Sequence, residues 1–155
     1  MSIKSIISKQ YQDKVNSTAM KASHIELPPE GWLCTVRKAL GMSAAQLARR
    51  LGVTRAQVSK TEKGELNGTV SLKTLQNMAE AMGCRLTYAI IPDTNVEDIL
   101  AARAQQQATR RVEEAHKHMA LEDQTLSQDQ ITFEVDRLQK DILQNPPADF
   151  WDDEA

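Results

Sequence analysis

At 155 residues, the chain has room for one domain, or for a small domain with an extension. Only 4% of its residues are aromatic and 26% are charged. No apolar run nears the roughly 20 residues that a bilayer-spanning helix needs, so a membrane protein is not expected. The net charge of −2 hides an uneven split, because residues 1–92 carry 13 Lys and Arg against 6 Asp and Glu, whereas residues 93–155 carry 6 against 15.

A basic first part fits salt-dependent attraction to phosphate. An acidic second part would be repelled by DNA and is expected to serve another partner, the plain alternative being a well-solvated helical tail. Lys4, Lys9 and Lys14 interrupt any signal-peptide h-region, so the expected location is the cytoplasm, at the nucleoid. Cys34 and Cys84 lie fifty residues apart in apolar patterns and are expected to sit reduced in a core.

Residues 3–22 read as an amphipathic helix. Ile3, Ile7, Tyr11, Val15 and Ala19 recur every four residues with Ile6 beside them, and lysines fill much of the remainder. That face needs cover, from the core or from a second protomer; a basic arm along DNA fits it less well. Leu27-Pro28-Pro29-Glu30-Gly31 breaks the helix. The next helix spans residues 32–40, with Trp32, Leu33, Val36, Ala39 and Leu40 inward and Gly41 at its end.

Residues 43–64, SAAQLARRLGVTRAQVSKTEKG, hold the most specific pattern in the chain. Leu47, Ala48 and Leu51 give a first short helix its apolar face. Gly52 stands where a tight interhelical turn needs positive φ. Thr54 can cap a second helix by accepting a backbone N–H bond. Val58 is that helix's buried anchor, which leaves Arg55, Ala56, Gln57, Ser59 and Lys60 facing outward. A loop over residues 63–70 follows, with the turn-favouring pair Asn67-Gly68. Ser71 then caps a helix with Leu72, Leu75, Met78, Ala79 and Met82 inward, and Gly83 stops it.

Residues 84–91, CRLTYAII, favour extended structure before Pro92. A lone strand needs a partner for its backbone groups. With no other convincing strand in the sequence, Leu86, Tyr88 and Ile90 are expected to form a two-stranded ribbon with a second copy, and hence a homodimer; an extended tail packed within a monomer is the alternative. Asn95 can cap a helix over residues 96–122 with a thin stripe of Val96, Leu100, Ala104, Ala108, Val112, Ala115 and Met119, marginal alone. Ser127 can cap a final helix with Ile131, Val135, Leu138 and Ile142 on one side. The tail ADFWDDEA sets Phe150 and Trp151 among acids, as interface anchors for a partner or folded back onto the helices.

An Ala at the fifth position, a turn Gly at the ninth and an apolar residue at the fifteenth (Ala48, Gly52, Val58) resemble the phage-repressor-type (Cro/C1, XRE-like) helix-turn-helix family. The resemblance implies a mainly α, lambda-repressor-like DNA-binding domain, here with a short dimerising strand and an additional helical C-terminal region. The expected domains are residues 1–24, 25–92 and 93–155, and the expected partner is double-stranded operator DNA. Arg55 is placed for bidentate base reading, with Ala56, Gln57, Ser59 and Lys60 beside it. Ser43, Gln46, Thr54, Lys63 and Asn67 are placed for phosphates near helix ends and loop. Ala44 departs from the Gln that related repressors often carry there, and Thr61 replaces a commonly apolar residue.

A narrower pattern joins Gly31-Trp32 after the proline break, Ala39-Leu40-Gly41-Met42-Ser43, Asn67-Gly68-Thr69, Leu86-Thr87-Tyr88-Ala89 and Met119-Ala120-Leu121-Glu122-Asp123-Gln124. This order resembles the mobile mystery protein A family, whose members are small DNA-binding proteins encoded beside a Fic-domain protein. The resemblance implies an antitoxin and autorepressor of a type II toxin–antitoxin pair with a Fic-type toxin as partner. The alternative is a stand-alone XRE-family regulator whose C-terminal region dimerises or senses a ligand. A Fic-inhibiting segment in related systems has Ser or Thr, then Glu four residues on, then Gly or Asn. Thr109 with Glu113 comes nearest, but Glu114 follows, so masking by the acidic helices is the expected route. His116 and His118 point to different sides of a helix, and no phosphate loop, zinc spacing or nucleophile elbow occurs. No enzyme, metal or cofactor is expected.

Overall fold

The computed structural model describes residues 2–123 and 126–153. Gln124, quoted in the last motif above, and Glu154 and Ala155 of the tail lie outside the described residues. Seven helices follow in order among them: α1 (Ile3–Ala22), α2 (Trp32–Ala39), α3 (Ala44–Leu51), α4 (Arg55–Asn67), α5 (Leu72–Ala81), α6 (Val96–Leu121) and α7 (Gln128–Gln144). The chain divides into two compact units, Ser23–Ala89 and Met1–Ala22 with Ile90–Ala155.

In the Ser23–Ala89 unit, short polar residues start three helices. The hydroxyls of Ser43, Thr54 and Ser71 accept the backbone N–H of Gln46, Gln57 and Thr74, satisfying donors that a helix start leaves without intrahelical partners. Gly52 closes α3 in the left-handed conformation (φ 70°, ψ 32°), which lets the chain turn at once into α4. The core is Leu33, Leu47, Ala48, Val58 and Met78, one or two from each of α2 to α5, with Met82 just past the end of α5. Leu47 is fully buried, and removing such a side chain from water stabilises by about 1.5–3 kcal/mol. Trp32, Leu40 and Leu72, read from periodicity as inward, are about half exposed. Each lies at the edge of its helix's apolar arc, where Leu33, Val36 and Leu75 take the packing positions.

The start of α2 is capped from a distance. Glu65, on α4, accepts the backbone N–H of Trp32 (2.7 Å) and of Leu33 (2.9 Å). Gly31 makes this possible: at φ 83° and ψ 162° it holds a conformation essentially restricted to glycine. A Cβ there would also sit 3.0 Å from Glu65 Oε1. Gly31→Ala is therefore expected to cost about 1–2 kcal/mol, read from the urea midpoint and from faster amide exchange at Trp32 and Leu33.

No β-strand occurs among the described residues, so the expected dimerising strand is corrected: residues 84–91 run as irregular chain. Leu86 supplies part of the reason, since its N–H donates to Gln76 Oε1 on α5 at 3.1 Å instead of to a ladder. Tyr88 and Ile90 are exposed. Cys84 is also exposed, not buried in a core, whereas Cys34 is half-buried; both are free thiols.

The other unit is a hairpin of α6 and α7 with α1 packed on α6. Ala104, Ala108 and Val112 of α6 meet Val135 and Ile142 of α7, and Phe150 from the tail completes the core. The alanine stripe keeps side chains short where the helices meet. Two asparagines serve the start of α6: Asn95 accepts the N–H of Asp98, and Asn16, from α1, accepts that of Val96 at 2.9 Å. Asn16 also donates to Glu97 at 2.8 Å, fixing α1 to α6.

Of the two arrangements open to the tail, Phe150 takes the one folded back onto the helices. Its ring is 4% exposed, and its carbonyl accepts Arg103 Nε at 2.6 Å and Gln107 Nε2 at 3.0 Å. Trp151 stays 59% exposed, edge-on to Phe150 at 4.9 Å. A small acidic tail can thus bury one aromatic while leaving its neighbour at the surface.

Candidate nucleic-acid interface

The α3–α4 pair presents its candidate contacts on helix starts and on one face of α4. Val58, Thr61 and Gly64 form the buried face of α4. Thr61 buries its hydroxyl by donating to the carbonyl of Gln57 at 2.9 Å, so a polar residue replaces an apolar one without an unpaired group. Arg55, Ala56, Gln57 and Lys60 are exposed on the first turns, and Ser59 is half-buried between the two faces.

Ser43 and Gln46 hold one another in a capping box, in which Gln46 Oε1 accepts Ser43 N–H at 2.7 Å. The box occupies the amide oxygen and leaves Nε2 to donate outward. Thr54 likewise accepts Gln57 N–H and keeps its hydroxyl proton for an external acceptor. Lys63 and Asn67 were read as loop residues, but α4 continues through both and ends at Gly68 in the left-handed conformation. The Asn67-Gly68 pair is a helix C-cap, with Asn67 Oδ1 accepting from Thr69 Oγ1 at 2.6 Å.

The charges around this face are uneven. Residues 23–89 hold nine Lys and Arg and five Asp and Glu. Glu62 is committed to Arg37 in a two-point pair, 2.6 Å to Nε and 3.2 Å to Nη2, with both side chains only 13% exposed. The Glu62 carboxylate holds the Arg37 guanidinium above its ordinary pKa. Arg37 also donates to the carbonyl of Met42 at 3.0 Å, so one side chain links α2, α4 and the entry to α3. Glu30 is paired with Lys38, whose ammonium lowers the carboxyl's pKa. Burial, helped by the Glu30 carboxylate, pushes the Cys34 thiol up and away from thiolate chemistry. Arg49, Arg55, Lys60, Lys63 and Lys73 form no ion pair with an acidic side chain among the described residues. Their positive field is uncompensated, which is what attraction to a polyanion requires.

The helix-turn-helix family matches residues 35–88. The matched segment takes in α3, α4 and α5 and most of α2, and no part of α1, α6 or α7. No curated protein and no solved structure matches the chain. Within the helix-turn-helix segment, Arg37, Glu62 and Glu65 are the positioning residues that local pattern reading missed. No group of three or more possible metal ligands occurs among the described residues, and no described helix is long and apolar enough to cross a membrane.

Proposed function

We propose that this protein is a sequence-specific DNA-binding transcriptional repressor that works as a homodimer. The observation that carries the reading is the XRE-type match over an α3–α4 pair whose outward face bears unpaired Arg55, Lys60 and Lys63. Two-fold dimers reading two half-sites are how such segments gain affinity and specificity. In this reading Arg55 reads a base through its guanidinium fork, and Ser43, Gln46, Thr54, Lys63 and Asn67 hold phosphates. The acidic helices serve a second protein, and resemblance to the mobile mystery protein A family names a Fic-type toxin for that role. The chain is then the antitoxin and autoregulator of a type II pair.

Selection of a binding site from random duplexes, followed by footprinting, tests the DNA reading. Arg55→Ala should lose about 1–3 kcal/mol on the selected site and relax one base position. Lys63→Ala should weaken all sequences alike and flatten the salt dependence by about one unit of slope. An unchanged footprint and affinity for Arg55→Ala overturns the assignment of the reading face. Co-purification of the full chain with the protein encoded beside it tests the second partner. A fragment of residues 93–155 is the wrong reagent, because it lacks Asn16 at the start of α6.

A further inference from the structure

We infer that α1 of one copy docks on α7 of a second copy, so that the protein pairs through two equivalent helix contacts. The inference rests on the homodimer proposed above and names its surface. On α1, one apolar stripe has a covered end and a bare end. Ala19 is buried and Val15 half-buried in the part that Asn16 fixes to α6. Further along the stripe Ile3, Ile7 and Tyr11 are 77%, 47% and 70% exposed. Nothing in unfolded-chain energetics favours holding such a stripe in water, so its bare half marks an interaction surface.

On α7, Val135 and Ile142 pack into the core, while Phe133 and Leu143 remain 65% and 40% exposed. Asp129, Phe133, Asp136 and Leu143 are spaced by four, three and seven residues, which sets them along one face. Lys4, Ile7, Tyr11 and Lys14 of α1 are spaced by three, four and three residues and share a face in the same way.

Charge selects the occupant. Lysines flank the apolar pair on α1, and carboxylates flank Phe133 on α7. None of Lys4, Lys14, Asp129 and Asp136 forms an ion pair among the described residues. Packing α1 on α1 would bring lysines together, and α7 on α7 would do the same with aspartates. An antiparallel contact of α1 with α7 sets opposite signs at both ends of a shared apolar strip. Both helices belong to the same unit, so a reciprocal exchange closes about a two-fold axis and gives a dimer instead of a filament.

Sedimentation of the full chain at micromolar concentration tests this. Wild type is expected to be dimeric. The Lys4→Glu/Lys14→Glu variant and the Asp129→Lys/Asp136→Lys variant should each self-associate about tenfold more weakly or worse, because each puts like charges across both contacts. Mixed one to one, the two variants should form a heterodimer of near wild-type affinity, since every contact is complementary again. All four side chains are exposed, and unchanged helical circular dichroism checks that the variants fold. A monomeric wild type, variants that dimerise like wild type, or a mixture that stays monomeric overturns the inference. So does wild-type protein that binds anionic vesicles through α1 while remaining a monomer. A wild-type dimer that binds the selected DNA while its charge variants dimerise like wild type sinks this interface alone; a dimer that binds no DNA sinks the repressor reading alone.

Discussion

Replacing Glu62 with alanine is expected to destabilise the Ser23–Ala89 unit by about 3 kcal/mol, close to the cost of leaving one charge of a buried pair alone. Arg37 would keep its place between α2 and the Met42 carbonyl while losing both bonds to the carboxylate. At 13% exposure the guanidinium has little water to turn to. Amide exchange resolves the effect, because protection in α2 to α5 should fall while that in α6 and α7 stays as in wild type. The paired replacement Arg37→Met with Glu62→Leu removes both charges and should recover most of the loss. Unchanged exchange in α2 and α4 after Glu62→Ala would show that the pair contributes nothing to the unit. The consequence reaches the candidate interface, since Glu62 and Arg55 lie on the same helix. A loosened α4 should bind DNA more weakly even with every proposed contact residue intact.

What could be read from the sequence was what repeats locally. Thr54, Ser71, Asn95 and Ser127 each announce a helix start and each accepts the expected N–H bond. Capping acts over three residues, so a linear pattern contains it. Gly52 and the inward Leu47, Ala48 and Val58 were legible for the same reason. The pairs that set helices against one another were not. Glu65 caps α2 from 33 residues away, and Asn16 reaches Val96 across 80. No periodicity links such partners, and in a sequence Glu65 is one more exposed acid on a helix.

The errors have a common cause as well. A short apolar run was given a strand because β-propensity measures fit to a half-buried pleated surface, and no strand among the described residues supplies that surface. The Asn67-Gly68 pair was read as a turn because the same positive-φ residue that makes turns also ends helices. For the candidate interface, the outward face of α4 was legible, but its support was not. Arg37 looked like one of several cations, and only the fold turns it into the brace under α4.

Phe150→Ala is expected to destabilise the α1, α6 and α7 unit by about 3–5 kcal/mol, the range for emptying a buried aromatic site. The ring closes the core formed by Ala104, Ala108, Val112, Val135 and Ile142, where alanines leave no bulk to collapse into the gap. Losing it should also free the tail, since Arg103 and Gln107 hold the Phe150 carbonyl and Arg103 Nη2 holds that of Asp152 at 2.7 Å. Trp151→Ala separates stability from partner docking. Its ring is mostly in water and lies 5.9 Å from the Arg103 guanidinium, so its removal should cost less than about 1 kcal/mol of stability. If the acidic unit engages a second protein through this tail, Trp151→Ala should weaken that complex in a titration while the thermal midpoint barely moves. A neutral Phe150→Ala by thermal unfolding would mean that the tail is not part of the core. A Trp151→Ala variant that binds the partner like wild type would move the docking surface off the tail and onto the helices.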